Sequence, residues 1–255
     1  MTETGRGVMV RRRLLTGDTI IAIPESLLIT TSTVLRSYLG PVIHDFLPCR
    51  LSPTETLVIF LLCERNKGCS SFWKPYVDIL PSSYTDILHW TSKEMDLLPK
   101  FTKRRACDLR LKAEESFNRL CNGFLPLLVR QMPQFNGAFT WDLFKWAWSS
   151  VNTRCVYMSQ PQNSVLSPDE EDKSALAPFL DLLNHTVDVE VNARFDDSSK
   201  SYKITTLTAC KPYDQVFINY GPHSNEKLLL EYGFTLPCNP HNNISLTLSQ
   251  SLPVP

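Results

Sequence analysis

Over the first 30 residues, apolar and polar positions alternate at short range: a run at 8–10, a Thr16-Gly17-Asp18 turn, and a β-branched run at 19–23 stopped by Pro24. A two-residue period broken by a turn predicts a hairpin with a short extension. The period then lengthens. A serine start, Leu35 and Leu39 four apart, and a glycine stop predict a short helix over 32–40.

From about 52 to 150 the apolar spacing is helical. Ser52-Pro53-Thr54-Glu55 supplies a cap, a proline in the first helical position and a glutamate that reaches back, which predicts a helix through Leu57, Phe60, Leu61 and Glu64 ending near Gly68. Thr91-Ser92-Lys93-Glu94 repeats that box. A charged helix is predicted over 102–121 before Gly123, and another from Thr140 through Phe144, Ala147, Trp148 and Val151.

After Asn152 the β pattern returns. A strand is predicted over 154–158, then an exposed loop over 159–174 whose acidic run 169–172 reads as solvated surface. Runs 189–195 and 202–207 flank a polar turn and predict a hairpin; 216–220 is an apolar strand closed by Gly221. Ser224 caps a helix over 226–232, and Gly233 is its left-handed stop. Neither β half is long enough for its own core, so the order predicts one α+β domain interrupted by a helical block.

Composition narrows the function classes. The 26 basic and 26 acidic residues cancel, so no global field draws the chain to nucleic acid or to an anionic membrane. No run approaches the roughly 18 apolar residues of a membrane span, and the N-terminus lacks a signal-peptide core. A cytoplasmic and nuclear protein is expected. There the sequons at Asn184 and Asn243 carry no meaning, and the eight cysteines, with no Cys-x-x-Cys pair, are expected to be reduced and mostly buried rather than zinc ligands. The basic runs at 11–13 and 103–105 read as solvated faces.

Four groups of residues could carry chemistry. Gly5-Arg6-Gly7 lets backbone amides approach a ligand, although no third glycine opens a helix and the dinucleotide-binding pattern fails. Asn152-Thr153-Arg154 is either a helix stop beside an exposed arginine or a carboxylate clamp. In the apolar stretch 177–185, Asp181, Asn184 and His185 are either a satisfied buried turn or a set of groups for a purine-like ligand. Tyr220 and Tyr232 are either core or, as protonated phenols with aromatic faces, suited to an amine and a sulfonium.

These motifs, in this order, resemble the SET-domain methyltransferases, in the branch of the plant Rubisco large-subunit and actin-histidine enzymes. The resemblance also takes in Phe72-Trp73-Lys74-Pro75-Tyr76 and Ile79-Leu80-Pro81, and spans nearly the whole chain. It implies a fold of small β-sheets with a pseudoknot, divided as 1–49, a helical insertion 50–150, a catalytic part 151–235, and a tail 236–255 that begins a substrate-binding lobe. It implies S-adenosyl-L-methionine as cofactor, held by Arg6, Gly7, Met9, Tyr38, Leu39, Gly40, Arg154, Asp181, Asn184, His185 and Tyr220. Tyr220 is the implied catalytic residue, with Arg154, Tyr232 and Phe234 on the acceptor. The implied activity is protein-lysine N-methylation of a histone tail or cytosolic protein by a monomer, without a metal. A histidine acceptor, or a peptide-binding module without turnover, are the competing expectations. No cysteine-rich segment follows Phe234, so the zinc element of many histone enzymes is not expected.

Overall fold

The structure, a computed structural model, describes residues 5–243. Its strands are β1 (Val8–Met9), β2 (Thr19–Pro24), β3 (Cys155–Tyr157), β4 (Ser174–Leu176), β5 (Asn184–His185), β6 (Val191–Asp196), β7 (Ser201–Thr206) and β8 (Gln215–Ile218). They form small sheets ordered β1-β8-β5, β2-β7-β6 and β3-β4. The β6–β7 hairpin forms as the alternation predicts, with Val191 opposite Thr206 and Asp196 opposite Ser201.

The predicted hairpin at the N-terminus does not form. β1 lies antiparallel on β8, with Val8 opposite Val216, and β2 lies antiparallel on β7, with Ile21 opposite Ile204. Between them Leu14 bridges Cys210, which holds the connection against the far end of the chain. Alternation states which face of a strand is buried and is silent on its partner. A second long-range pairing sets up the site: β5 runs parallel to β8, with Asn184 opposite Phe217 and His185 opposite Ile218.

The helices are α1 (Thr31–Leu35), α2 (Gly40–Asp45), α3 (Pro53–Lys67), α4 (Lys74–Ile79), α5 (Ser92–Asp96), α6 (Lys100–Arg119), α7 (Leu125–Gln131), α8 (Trp141–Arg154) and α9 (Asn225–Lys227). The capping box at α3 is complete: the Glu55 amide donates to Ser52 Oγ at 3.1 Å, and the Ser52 amide to Glu55 Oε2 at 2.8 Å. Consecutive residues Leu57 to Leu62 are all buried, so α3 is packed on every side and is the axis of the helical block.

Three helix boundaries differ from expectation. The 32–40 helix is split, because Gly40 opens α2 instead of ending α1. Gly123 does not stop α6: the chain continues through a wide π-turn at Leu120–Phe124 into α7, with the open face of the glycine against the Phe46 ring. α8 runs past Asn152, whose side chain donates back to the Trp148 carbonyl at 2.8 Å and leaves the helix intact.

Two cores result. The helical core centres on Leu57, Phe60, Phe124 and Phe144 and also takes in Ile29, Val34, Leu39 and Ile43. The β core is built on Ile21, Leu28, Leu180, Leu183, Tyr202 and Ile204. All eight cysteines are free thiols, but among them only Cys63 is buried; Cys49, Cys69 and Cys238 are exposed. The acidic run is partly engaged: Glu170 accepts from the Thr54 amide at 3.1 Å and Asp172 from the Thr31 hydroxyl. So is the basic run at 103–105, where Lys103 pairs with Asp96 and Arg105 with Glu226 and Glu231. Residues 244–255, expected within the start of a further lobe, lie outside the described residues.

Candidate active site

The β5–β8 pairing brings His185 beside Tyr220. The Tyr220 amide donates to His185 Nδ1 at 3.1 Å, which assigns the lone pair to Nδ1 and the proton of the neutral ring to Nε2. Nε2 is buried and has no hydrogen-bond partner among the described residues. The two rings stack at 5.0 Å between centroids. Tyr220 donates its hydroxyl to the Leu183 carbonyl at 2.7 Å, and burial pushes its phenol up to about 12, so it is an O–H donor at neutral pH and not a base.

The aromatic wall continues from a second element. A π-turn at Leu228–Tyr232 ends at Gly233 in the left-handed region, φ 80°, and this bend sends Tyr232 and Phe234 back toward Tyr220. The Tyr232 ring lies 5.6 Å from Tyr220 and 5.9 Å from His223; Phe234 lies 6.1 Å from His185.

On one side of Tyr220 is a cavity of about 180 Å³ lined by Arg154, Val156, Asp181, Ile218, Tyr220 and Tyr232, among others. Its polar floor is a network. Arg154 Nη1 donates to the Asp181 carbonyl at 2.8 Å and pairs with its carboxylate at 3.4 Å, while the Tyr76 hydroxyl donates to Asp181 Oδ2 at 3.1 Å. Burial holds the Asp181 carboxyl above the usual carboxylate range, opposed by Arg154 and Tyr76. Asp181 Oδ1 and Arg154 Nε remain buried without a partner among the described residues.

Arg6, Gly7 and Asn184 meet outside that cavity. Asn184 Nδ2 donates to the Arg6 carbonyl at 2.9 Å, and Arg6 reaches the Ile79 carbonyl at 2.7 Å. A Cβ on Gly7 would stand 2.9 Å from Asn184 Nδ2 and would strike the Gln215 side chain, so the backbone is bare where it faces Asn184. Met9 is on β1, with 55% of its surface exposed.

Two of the expected cofactor contacts stand apart from Arg6, Gly7 and Asn184. Tyr38, Leu39 and Gly40 do not join this cluster: Tyr38 donates to Glu64 at 2.8 Å and stacks on Phe135, and Leu39 is wholly buried in the helical core. Their amides are also engaged, Leu39 by Ser37 Oγ and Gly40 by the Ser37 carbonyl. Asp181, expected with the cofactor set, lines the cavity with Tyr232 instead, because its carboxylate is drawn to Arg154 and Tyr76.

Arg6, Gly7, Arg154, Asp181, Asn184, His185 and Tyr220 lie within one matched region, residues 5–221, which match the family model described as the SET domain; Tyr232 and Phe234 follow it. The chain belongs to the SET-domain family. It is 44% identical over 238 residues to mouse SET domain-containing protein 4, covering 93% of this chain and 54% of that protein. It is 26% identical to the actin-histidine N-methyltransferase of Xenopus tropicalis, covering 98% of this chain and 42% of that protein. The crystal structure of the SET domain of LSMT bound to lysine and AdoHcy has the same fold, with a TM-score of 0.78 at 24% identity over 92% of this chain and 52% of that one. The chain thus spans about half the length of the curated relatives it matches.

Several residues that line this SET domain's cavity or support its polar floor give no local signal in the sequence. Tyr76 is 105 residues from Asp181, and a tyrosine among Phe72, Trp73 and Pro75 reads as core. Tyr84, bonded to Ser150 at 2.7 Å beside Arg154, and Asn219, which lines the cavity, are equally silent.

His185 also gives the SET domain a pH dependence. Burial, with His223 and His241 nearby, lowers its pKa from the ordinary value, against the Ile218 carbonyl. The stability due to its neutral ring is therefore fully present above the unfolded value of about 6.5 and is lost as pH falls toward the folded value. His185→Phe keeps a ring but loses the acceptor for the Tyr220 amide, and is expected to cost about 1–2 kcal/mol at neutral pH. In denaturant titrations that difference should shrink between pH 7.5 and about pH 5.5, since protonated His185 cannot accept either; a pH-independent difference would contradict the assigned tautomer.

Proposed function

We propose that this SET domain transfers a methyl group from S-adenosylmethionine to the side-chain amine of a protein lysine. The observation that carries the proposal is the position of Tyr220: its backbone is bonded to His185 beside the Asn184–Gly7 cradle, and its ring and hydroxyl face the cavity shared with Asp181 and Tyr232. One side chain thus stands between the Asn184–Gly7 group and the cavity of about 180 Å³.

The residues fit such a cofactor. The unpartnered His185 Nε2–H is a buried donor, the Asn184 amide offers both donor and acceptor, and Gly7 leaves its backbone open to a close neighbour. When bound, the cofactor supplies a methyl group on a sulfonium. The face of Tyr220 favours a cation there, and Tyr232 and Phe234 wall the acceptor side beside it.

On the acceptor side the amine must be neutral to attack, and apolar walls lower its pKa from about 10.4. The Asp181 charge does not reverse this, because Arg154 pairs with it and the two together present little net charge. Asp181 Oδ1, which lacks a partner, accepts an N–H and aims the lone pair. No carboxylate base is required, and positioning supplies most of the acceleration. The targets are proteins of the cytoplasm or nucleus, histone tails included; with zero formal charge on the chain, their recognition rests on local surfaces.

Calorimetric titration with S-adenosylmethionine should find one site per chain, weakened about tenfold by Asn184→Ala, the equivalent of one buried hydrogen bond. A folded wild-type chain that gives no binding would overturn the proposal.

A further inference from the structure

Ser224 and Asn225 open the short helix that leads to Tyr232, yet neither residue lines the cavity or the cradle. Ser224 is accounted for as the cap of α9, where its hydroxyl accepts from the Lys227 amide. Asn225 is not. It is the first residue of that helix, where its side chain has no role in capping, and its amide group turns toward the chain beyond Phe234.

There Asn225 answers both backbone groups of one residue. Its Nδ2 donates to the Leu236 carbonyl at 2.8 Å, and its Oδ1 accepts from the Leu236 amide at 3.0 Å. Oδ1 also accepts from Asn239 Nδ2 at 3.0 Å, and that same nitrogen reaches the His223 carbonyl at 2.9 Å. The segment Asn225 to Leu236 is thereby closed into a loop by one side chain, and that loop carries Tyr232 and Phe234. Two further contacts press on it: Thr85 donates to the Gly233 carbonyl at 3.1 Å, and Arg105 pairs with Glu226 and Glu231 at 3.2 and 3.0 Å. The Arg105 pairs are partly exposed and weak. The Asn225 pair is the one that fixes where the chain goes after Phe234.

We infer that Asn225 is a positioning residue for methyl transfer, holding Tyr232 and Phe234 in register with Tyr220; this rests on the methyl-transfer reading of the site. Only a planar amide has a donor and an acceptor at the spacing of one peptide unit. Aspartate keeps the acceptor and sets a second oxygen against the Leu236 carbonyl, serine has one oxygen, and glutamine is a methylene too long. With the pair broken, the Leu236 amide and carbonyl lose their partners, and Phe234, two residues away, is held only from its N-terminal side, by its amide's bond to the Leu228 carbonyl at 3.3 Å. The cofactor cradle does not depend on it, because Asn184 and His185 are held by β5–β8 pairing and by the N-terminal loop.

The test uses the full chain, with Asn225→Asp as the strong variant and Asn239→Ala as a mild one that removes the two bonds of Asn239 Nδ2 and leaves the Asn225–Leu236 pair in place. Labelled S-adenosylmethionine is supplied with bulk core histones and a cytosolic extract, and transfer is divided by the number of cofactor-binding sites counted calorimetrically. Asn225→Asp should lower transfer per site roughly tenfold or more, the scale of a displaced acceptor wall, in kcat and not in cofactor affinity, and should expose the Leu236 amide to hydrogen exchange. Asn239→Ala should fall between it and the wild type. A purely structural role predicts fewer competent sites with unchanged transfer at each, and that result overturns the inference. A wild type that neither binds cofactor nor transfers overturns instead the reading on which it rests.

Discussion

Tyr220→Phe is expected to lower methyl transfer about 100-fold while leaving S-adenosylmethionine affinity within about twofold, because one hydroxyl misplaced at the reacting centre costs on that scale. The geometry separates the two effects. Cofactor-side contacts of Tyr220 are its amide, bonded to His185, and its ring, stacked on the same imidazole; phenylalanine retains both. What is lost is the hydroxyl fixed by the Leu183 carbonyl at the mouth of the cavity. With its pKa at about 12 the phenol stays protonated through the working range, so the loss should be the same at pH 7 and pH 9. A loss that appears only at high pH would instead make the tyrosinate the active form and contradict the positioning role.

Gly233→Ala should be the most destabilising single-methyl change near the site. The residue is at φ 80°, where a Cβ costs about 1–2 kcal/mol. That Cβ would also stand 2.6 Å from the Thr85 carbonyl carbon and 2.8 Å from the Asp86 amide nitrogen, both backbone atoms that cannot rotate away. Overpacking of this kind adds about 1–3 kcal/mol, for a total near 3 kcal/mol. Because Tyr232 and Phe234 flank the glycine, the folded fraction should also transfer methyl more slowly. A lower denaturation midpoint with unchanged slope would register the first effect. A midpoint within about 0.5 kcal/mol of wild type, the range of ordinary surface changes, would refute the close approach.

How legible these features are depends on how local their cause is. The α3 capping box lies in four consecutive residues, Ser52 to Glu55, and forms as read. The left-handed stop at Gly233 is equally local. Strand partners are not: β1 and β2 alternate like two arms of one hairpin, but each is completed by a strand about 200 residues later, and nothing in alternation encodes that choice. Tyr38-Leu39-Gly40 reads locally as a helix end, and the resemblance alone places it with the cofactor; the Tyr38 ring meets Phe135. Asp181 stands out as a polar residue among apolar ones, whereas its side of the site follows from Arg154 and from a tyrosine in a distant helix. The order of short motifs gave the family; the division of labour between cradle and cavity came from tertiary placement.

The central claim is transfer of a methyl group to protein lysine through Tyr220. Its most direct test is mass spectrometry of methylated peptides from a cell lysate incubated with methyl-labelled S-adenosylmethionine and either the wild-type chain or Tyr220→Phe. The account predicts peptides that acquire labelled methyl groups on lysine with the wild type and not with the variant. Label on histidine, or equal labelling by both chains, would contradict it.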